Sequence, residues 1–260
     1  MNSRVKELDF LKCIFIILMI IFHLVYIGDS YPYAKQVVYT FHMSAFLVIS
    51  GYLNNVNKKI KAFGRSLLWI FIPYVCMETG YVIMSAILPV REKITELSAG
   101  LLLHKAIIAP MGPYWYLHTL MLCNASYYLM YRMTNKWKGI TRFILLGILL
   151  YGLSELKLLT FANAIYFLAG VAIRQSGSNI IRIFQPSLLA LFPLIILCYF
   201  PENLNRGTLA GVTITYLVIS LLLAIYTYLT EQIKRILLYI GSNTPVSYTH
   251  LRAHETRHDL

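Results

Sequence analysis

The sequence predicts an all-α protein, a polytopic transmembrane helical bundle of about eight helices. Three observations carry that expectation. Apolar residues make up 58% of the 260-residue chain and charged ones 13%, with a mean hydropathy of +0.64, which excludes an ordinary soluble domain. The apolar residues gather in long blocks, not in the stripes of surface helices. Basic residues, which dominate the formal charge of +12, occupy every second connection between those blocks.

Segments of roughly 17 to 25 apolar residues cross the hydrocarbon as helices. About eight are read, at 9–28, 36–54, 66–90, 113–131, 140–156, 160–174, 186–200 and 208–230, the fifth to seventh being short. The first, LDFLKCIFIILMIIFHLVYIG, exceeds a signal-peptide core and lacks a small-residue cleavage site, so it reads as a retained helix. The stretch 91–109, with Glu92 and Glu96 beside Arg91 and Lys93, reads as an amphipathic helix on the outer surface. Cys13, Cys76, Cys123 and Cys198 all fall in apolar blocks without ligand spacing, as reduced packing residues do.

Arg4 and Lys6 precede the first block, Lys58, Lys59, Lys61 and Arg65 follow the second, and Arg132, Lys136, Lys138 and Arg142 follow the fourth. Arg174 and Arg182 follow the sixth, and Lys234 and Arg235 the eighth. The alternate connections, such as GDSYPYAK and PENLNR, are short and nearly balanced in charge. This is the positive-inside pattern, which places the N-terminus in the cytoplasm and assigns the basic residues to topology, with no nucleic-acid partner and the lipid bilayer as surroundings.

An ionisable group in hydrocarbon costs a few kcal/mol or more and marks function by default. Lys12 and His23 in the first block are eleven residues apart. In a helix that is roughly 16 Å along the axis and within about 20° of one face. One face then carries a cation at the cytoplasmic rim and an imidazole deep in the bundle. The second block contains FHMSAFLVISGYL and runs the other way, so His42 can share the depth of His23. Ser44, Ser50 and Gly51 are small enough for close helix contact.

Each of these residues also has a plainer reading. Lys12 can snorkel to the interface, and His42 can be a hydrogen-bonded structural residue. Glu78 needs a partner in its helix bundle, either a buried cation or a transferable proton. Trp115 and His118 follow the tyrosine-rich GPYWY stretch at an interface, as an aromatic belt would, and His104 reads as solvated. The run KKIKAFGR fits topology, and equally a phosphate-rich ligand held by Lys and Arg.

Taken in order, several stretches resemble membrane-bound acyltransferase family 3, which includes carbohydrate O-acetyltransferases and fucose acetylase-like proteins. LDFLKCIFIILMIIFH resembles the first-helix motif of a basic residue followed by histidine, filled here by Lys12 and His23. YTFHMSAFLVISGYL resembles the second-helix motif, with Ser44 where the family usually has proline. KAFGRSLLWIFIPY and GPYWYL resemble the third-helix entry and a later element, and YFLAGVAIR at 166–174 fits a later helix. Here Lys61 and Arg65 are four apart, not three, and Leu68 is apolar.

The resemblance implies an O-acetyltransferase of the plasma membrane. It would move an acetyl group from acetyl-CoA, as co-substrate and without a metal, to a hydroxyl of a cell-surface or exported saccharide. His23 and His42 would be catalytic, His23 as base and His42 orienting it or donating to the oxyanion. Lys12, Lys61 and Arg65 would bind the donor, and Glu78, Trp115 and His118 would be substrate-facing or structural polar groups. A secondary transporter or a non-catalytic membrane partner protein are the alternatives. The first lacks a matched pair of broken helices, and the second has no use for Lys12 and His23 on one face.

The end of the chain reads differently. After EQIKRILLYIGSNTP the family pattern expects an Ile-Gly-x-x-Ser/Thr turn and a last membrane helix, which does not follow. The stretch 245–260 contains HETRH, with zinc-ligand spacing at His254 and His258, but no apolar run. It resembles a translated sequencing adapter, so the expectation is an acyltransferase domain over 1–244, truncated, and a non-native tail beyond it.

Overall fold

The computed structural model describes residues 5–87, 94, 97–111 and 114–243. Among them there are helices, turns and bends and no strand. The helices are α1 (Lys6–His23), α2 (Val25–Gly28), α3 (Pro32–Leu53), α4 (Ile60–Ile87), α5 (Ala99–Ile107) and α6 (Trp115–Met133). They continue with α7 (Gly139–Glu155), α8 (Phe161–Gln175), α9 (Ile180–Phe184), α10 (Leu191–Tyr199), α11 (Leu209–Tyr228) and α12 (Glu231–Ser242).

Every apolar block is helical, with informative differences in detail. The first block breaks at Leu24, whose extended backbone ends α1 directly after His23. The seventh is assembled from a 3-10 turn at Leu188–Ala190 and the short α10. By length and composition α3, α4 and α11 are long and apolar enough to cross a membrane. Of the surface helix expected over 91–109, α5 is the described part, N-capped by the Ser98 hydroxyl, which accepts from Leu101 N at 3.1 Å. Residues 91–93, 95 and 96, Glu92 and Glu96 among them, lie outside the described residues, as does the tail with HETRH. Ile240 to Ser242, expected to turn, instead finish α12. Gly241 lets that helix rest on the backbone carbonyl of Asp9 in α1, where a Cβ would collide.

The chain divides into two compact units, residues 1–54 with 165–260, and residues 55–164. In the first, α3 is the core. Its residues are buried without a break from Thr40 to Gly51, as a helix apolar on every side requires. It packs on α1 and α11, and α1 in turn packs along α12. Against α8 the approach is closer than side chains permit. A Cβ on Gly51 would strike the Phe167 carbonyl, and one on Gly170 the Val48 carbonyl. Small residues allow this kind of backbone contact between membrane helices.

In the second unit α4 buries one stripe, Ile70, Tyr74, Glu78, Val82 and Ser85, and presents Leu68, Phe71, Ile72 and Met84 outward. Lipid tails solvate such a face as well as a protein core would. Pro73 interrupts the backbone ladder inside α4, which membrane helices tolerate. Arg142, one of the basic loop residues, clamps α7 to α6: its guanidinium donates to Tyr131 O at 2.6 Å and lies 4.1 Å from the ring centroid.

Replacing Gly170 by leucine should force α3 and α8 apart and lower stability by about 1–3 kcal/mol or more. Gly64→Ala, where nothing lies within 4 Å, should be neutral or slightly stabilising. Thermal unfolding in detergent micelles separates the two, and equal melting temperatures would refute the close contact.

Candidate active site

The two ends of α1 hold different chemistry. Near its start, Lys12 is 1% exposed and its Nζ lies 2.6 Å from Asp9 Oδ1, one turn earlier. That ion pair overturns the snorkelling alternative, because the ammonium finds its partner inside the protein. Asp9 went unremarked in the sequence, although Asp and Lys three residues apart on a helix are a recognisable pair. At the other end His23 is exposed, not deep in the bundle, because α1 stops there and the chain turns away at Leu24.

His42 is 3% exposed in the middle of buried α3. Tyr39 joins it to His23: its ring centroid lies 5.5 Å from the His23 imidazole and 5.2 Å from that of His42. The Tyr39 hydroxyl donates to Phe22 O at 3.3 Å and lies 3.5 Å from His23 Nδ1. The structure therefore brings the two histidines into ring contact with one tyrosine that sequence reasoning missed. Its position three residues before His42, on the same helix face, was the available signal.

Both imidazoles are held in the same way. His42 Nδ1 donates to Val38 O at 2.7 Å, and His23 Nδ1 donates to Met19 O at 2.7 Å, each to the carbonyl four residues earlier. A carbonyl only accepts, so each Nδ1 carries a proton, and in the neutral form of either ring the lone pair is at Nε2. The Nε2 of His42 is buried and has no hydrogen-bond partner in the structure, a state it shares with Tyr131 Oη, Arg142 Nε and Asn163 Nδ2.

Ser44 sits two residues further along α3, which runs uninterrupted through the position where the family usually has proline. Its hydroxyl donates to Thr40 O at 3.2 Å, and Ser44 and Thr215 both face the Tyr166 hydroxyl. That hydroxyl donates to Arg206 O at 2.8 Å. Arg206 is within electrostatic range of His42.

The polar residues of the other unit have a shared task. Glu78 Oε1 accepts from Met111 N at 2.6 Å, Tyr74 donates to Ala106 O at 2.8 Å, and His118 Nε2 donates to Ile107 O at 2.7 Å. Three buried side chains thus fasten the backbone of 106–111 to α4 and α6. Trp115 opens α6, its ring edge-on to Tyr116 at 6.2 Å. His104 is exposed. Lys61 and Arg65 project, exposed, from the first turns of α4. The loop before them is anchored by Tyr128, whose hydroxyl donates to Lys58 O at 2.8 Å and whose ring stacks on Phe63 at 3.8 Å. Among the described residues no group of three His, Cys, Asp or Glu stands close enough to hold a metal ion.

A family model described as an acyltransferase domain matches residues 5–248. The chain belongs to acyltransferase family 3. Comparison with curated proteins and with solved structures finds no match. In this acyltransferase the histidines of the first two motifs meet around Tyr39. The basic residues divide, with Lys12 in one unit and Lys61 and Arg65 in the other.

Replacing Asp9 by asparagine should leave the buried Lys12 ammonium without its carboxylate and destabilise the acyltransferase by about 3–5 kcal/mol. A second change, Lys12→Met, should restore most of that loss. A double-mutant cycle of unfolding in micelles reads it, and additive effects would show that the two side chains do not interact.

Proposed function

We propose that this acyltransferase transfers an acetyl group from acetyl-CoA to a hydroxyl of a cell-surface or exported saccharide. The observation that carries the reading is the pair of imidazoles around Tyr39, each with Nδ1–H spent on its own helix and Nε2 left as a base. A sugar hydroxyl is a weak nucleophile until its proton is removed during attack.

His23, exposed and so open to approach, is the base. Its Nε2 takes the hydroxyl proton as the sugar oxygen bonds to the thioester carbonyl carbon. Collapse of the tetrahedral intermediate breaks the carbon–sulfur bond, and the imidazolium returns the proton to the departing thiolate, leaving an ester and CoA. The tautomer argues against His42 as a neutral oxyanion donor, since its one ring proton is engaged with Val38 O. His42 instead accepts a hydrogen bond from the acceptor and fixes its orientation, which gives the orphan Nε2 a partner.

Cations fit the donor side. Lys61 and Arg65 are exposed at the start of α4, in a connection that the charge pattern assigns to the cytoplasm, where they meet the phosphates of CoA. Lys12, near the start of α1 in the other unit, is a buried charge held by Asp9. The same pattern supports a cytoplasmic N-terminus, and an acceptor at the cell surface fits a multi-pass chain of the plasma membrane.

In membranes supplied with labelled acetyl-CoA, His23→Ala should lower transfer to envelope polysaccharide about 10²- to 10⁴-fold. His42→Ala should lower it comparably, and His104→Ala should leave it at the wild-type rate. Transfer undiminished in His23→Ala would remove the catalytic assignment, and substrate uptake without acetylation would point to transport.

A further inference from the structure

The two connections that are short and balanced in charge, GDSYPYAK and PENLNR, come together at the start of α3. They border an open cavity of about 610 Å³, within the roughly 300–1,000 Å³ of small-molecule sites. Its polar lining is Lys35, Gln36, Tyr39, Thr40, Glu202, Asn205 and Arg206, with Pro32, Pro201 and Leu204 as apolar surface between them. We propose that this cavity is the acceptor subsite and that it takes an uncharged saccharide unit.

Position supports the assignment. Tyr39 is at once a wall of the cavity and the ring between His23 and His42. A hydroxyl of a bound sugar is therefore one side chain from the two bases.

Charge sets the ligand class. Lys35 is paired at 3.2 Å with Asp29, which lies outside the lining, and Glu202 and Arg206 line the cavity with one charge of each sign. A site for an acidic sugar would carry a larger excess of positive charge. The opposed charges with Gln36, Thr40 and Asn205 instead offer donors and acceptors together, which suits a ring of neutral hydroxyls.

The cavity is also held in shape before any ligand arrives. Asn205 Oδ1 accepts from Gly207 N at 2.9 Å, Thr208 Oγ1 donates to Asn205 O at 2.8 Å, and Asn203 Nδ2 donates to Leu197 O at 3.0 Å. Tyr166 secures Arg206 O, and the Tyr33 hydroxyl donates to Cys198 O, tying the start of α3 to α10. A loop fixed in this way loses little freedom on binding.

The inference rests on the acetyl-transfer reading, and one experiment separates them. The full chain in lipid nanodiscs is given acetyl-CoA with methyl hexopyranosides or with the corresponding methyl hexuronides. Neutral glycosides should be acetylated with kcat/KM about tenfold above the uronides. Glu202→Gln and Gln36→Ala, both at exposed positions that leave the core intact, should raise KM for the neutral glycoside about tenfold and about fivefold. KM for acetyl-CoA should move by less than about twofold in both, because the donor side is untouched. Acetylation with unaltered glycoside KM in both variants, or preference for the uronides, would overturn the subsite while leaving acetyl transfer standing. Failure of the wild-type chain to cleave the thioester or acetylate any glycoside would sink both.

Discussion

The burial of α3 on every side is the constraint on which the larger unit depends. A helix that offers no face to lipid or water must be enclosed by neighbours, and here α1, α11 and α8 enclose it. Enclosure to backbone contact is possible only because Gly51 and Gly170 meet the facing carbonyls with hydrogen atoms. Hydrophobicity alone does not hold membrane helices together, since lipid would solvate them equally well, so shape decides the arrangement. The consequence for chemistry is direct: His42 is carried into a place where its ring can neither rotate freely nor reach bulk water.

The same exclusion of water explains how polar groups are placed. Several buried ones are fastened to a definite partner: Lys12 to Asp9, Glu78 to Met111 N, His118 to Ile107 O, Tyr166 to Arg206 O. An unpaired polar group in this setting costs more than any gain in packing would return. His42 Nε2 is buried without a hydrogen-bond partner, as are Tyr131 Oη and Asn163 Nδ2, so burial alone does not mark it for a reaction; its place beside Tyr39 and near His23 does.

Much of this was legible in the sequence, for reasons that differ by feature. Block lengths and the alternation of basic connections follow from the bilayer itself, so the helices were readable one by one. Gly51 declared itself as a small residue in an apolar helix; its counterpart Gly170 did not, because which helix lies opposite is a property of the packed state. The exposure of His23 was misjudged, since helical periodicity gives the face but not the residue at which the chain leaves it, and Leu24 ends α1 one residue later. Asp9 and Tyr39 were visible as letters and silent as partners. The role of each appears only when a second side chain is brought beside it, one turn away in α1 for Asp9 and across two helices for Tyr39.

The hydrogen bonds from His23 and His42 to carbonyls of their own helices bear on what the pair can do. Such a bond fixes the tautomer through the backbone, without a carboxylate behind the ring. The backbone thus orients each ring without the help of a second side chain. Tyr39, in ring contact with both imidazoles and a wall of the cavity, links the two histidines to that space. In the proposed transfer, an acceptor hydroxyl brought there would meet a base of fixed orientation, and the barrier would fall chiefly through placement.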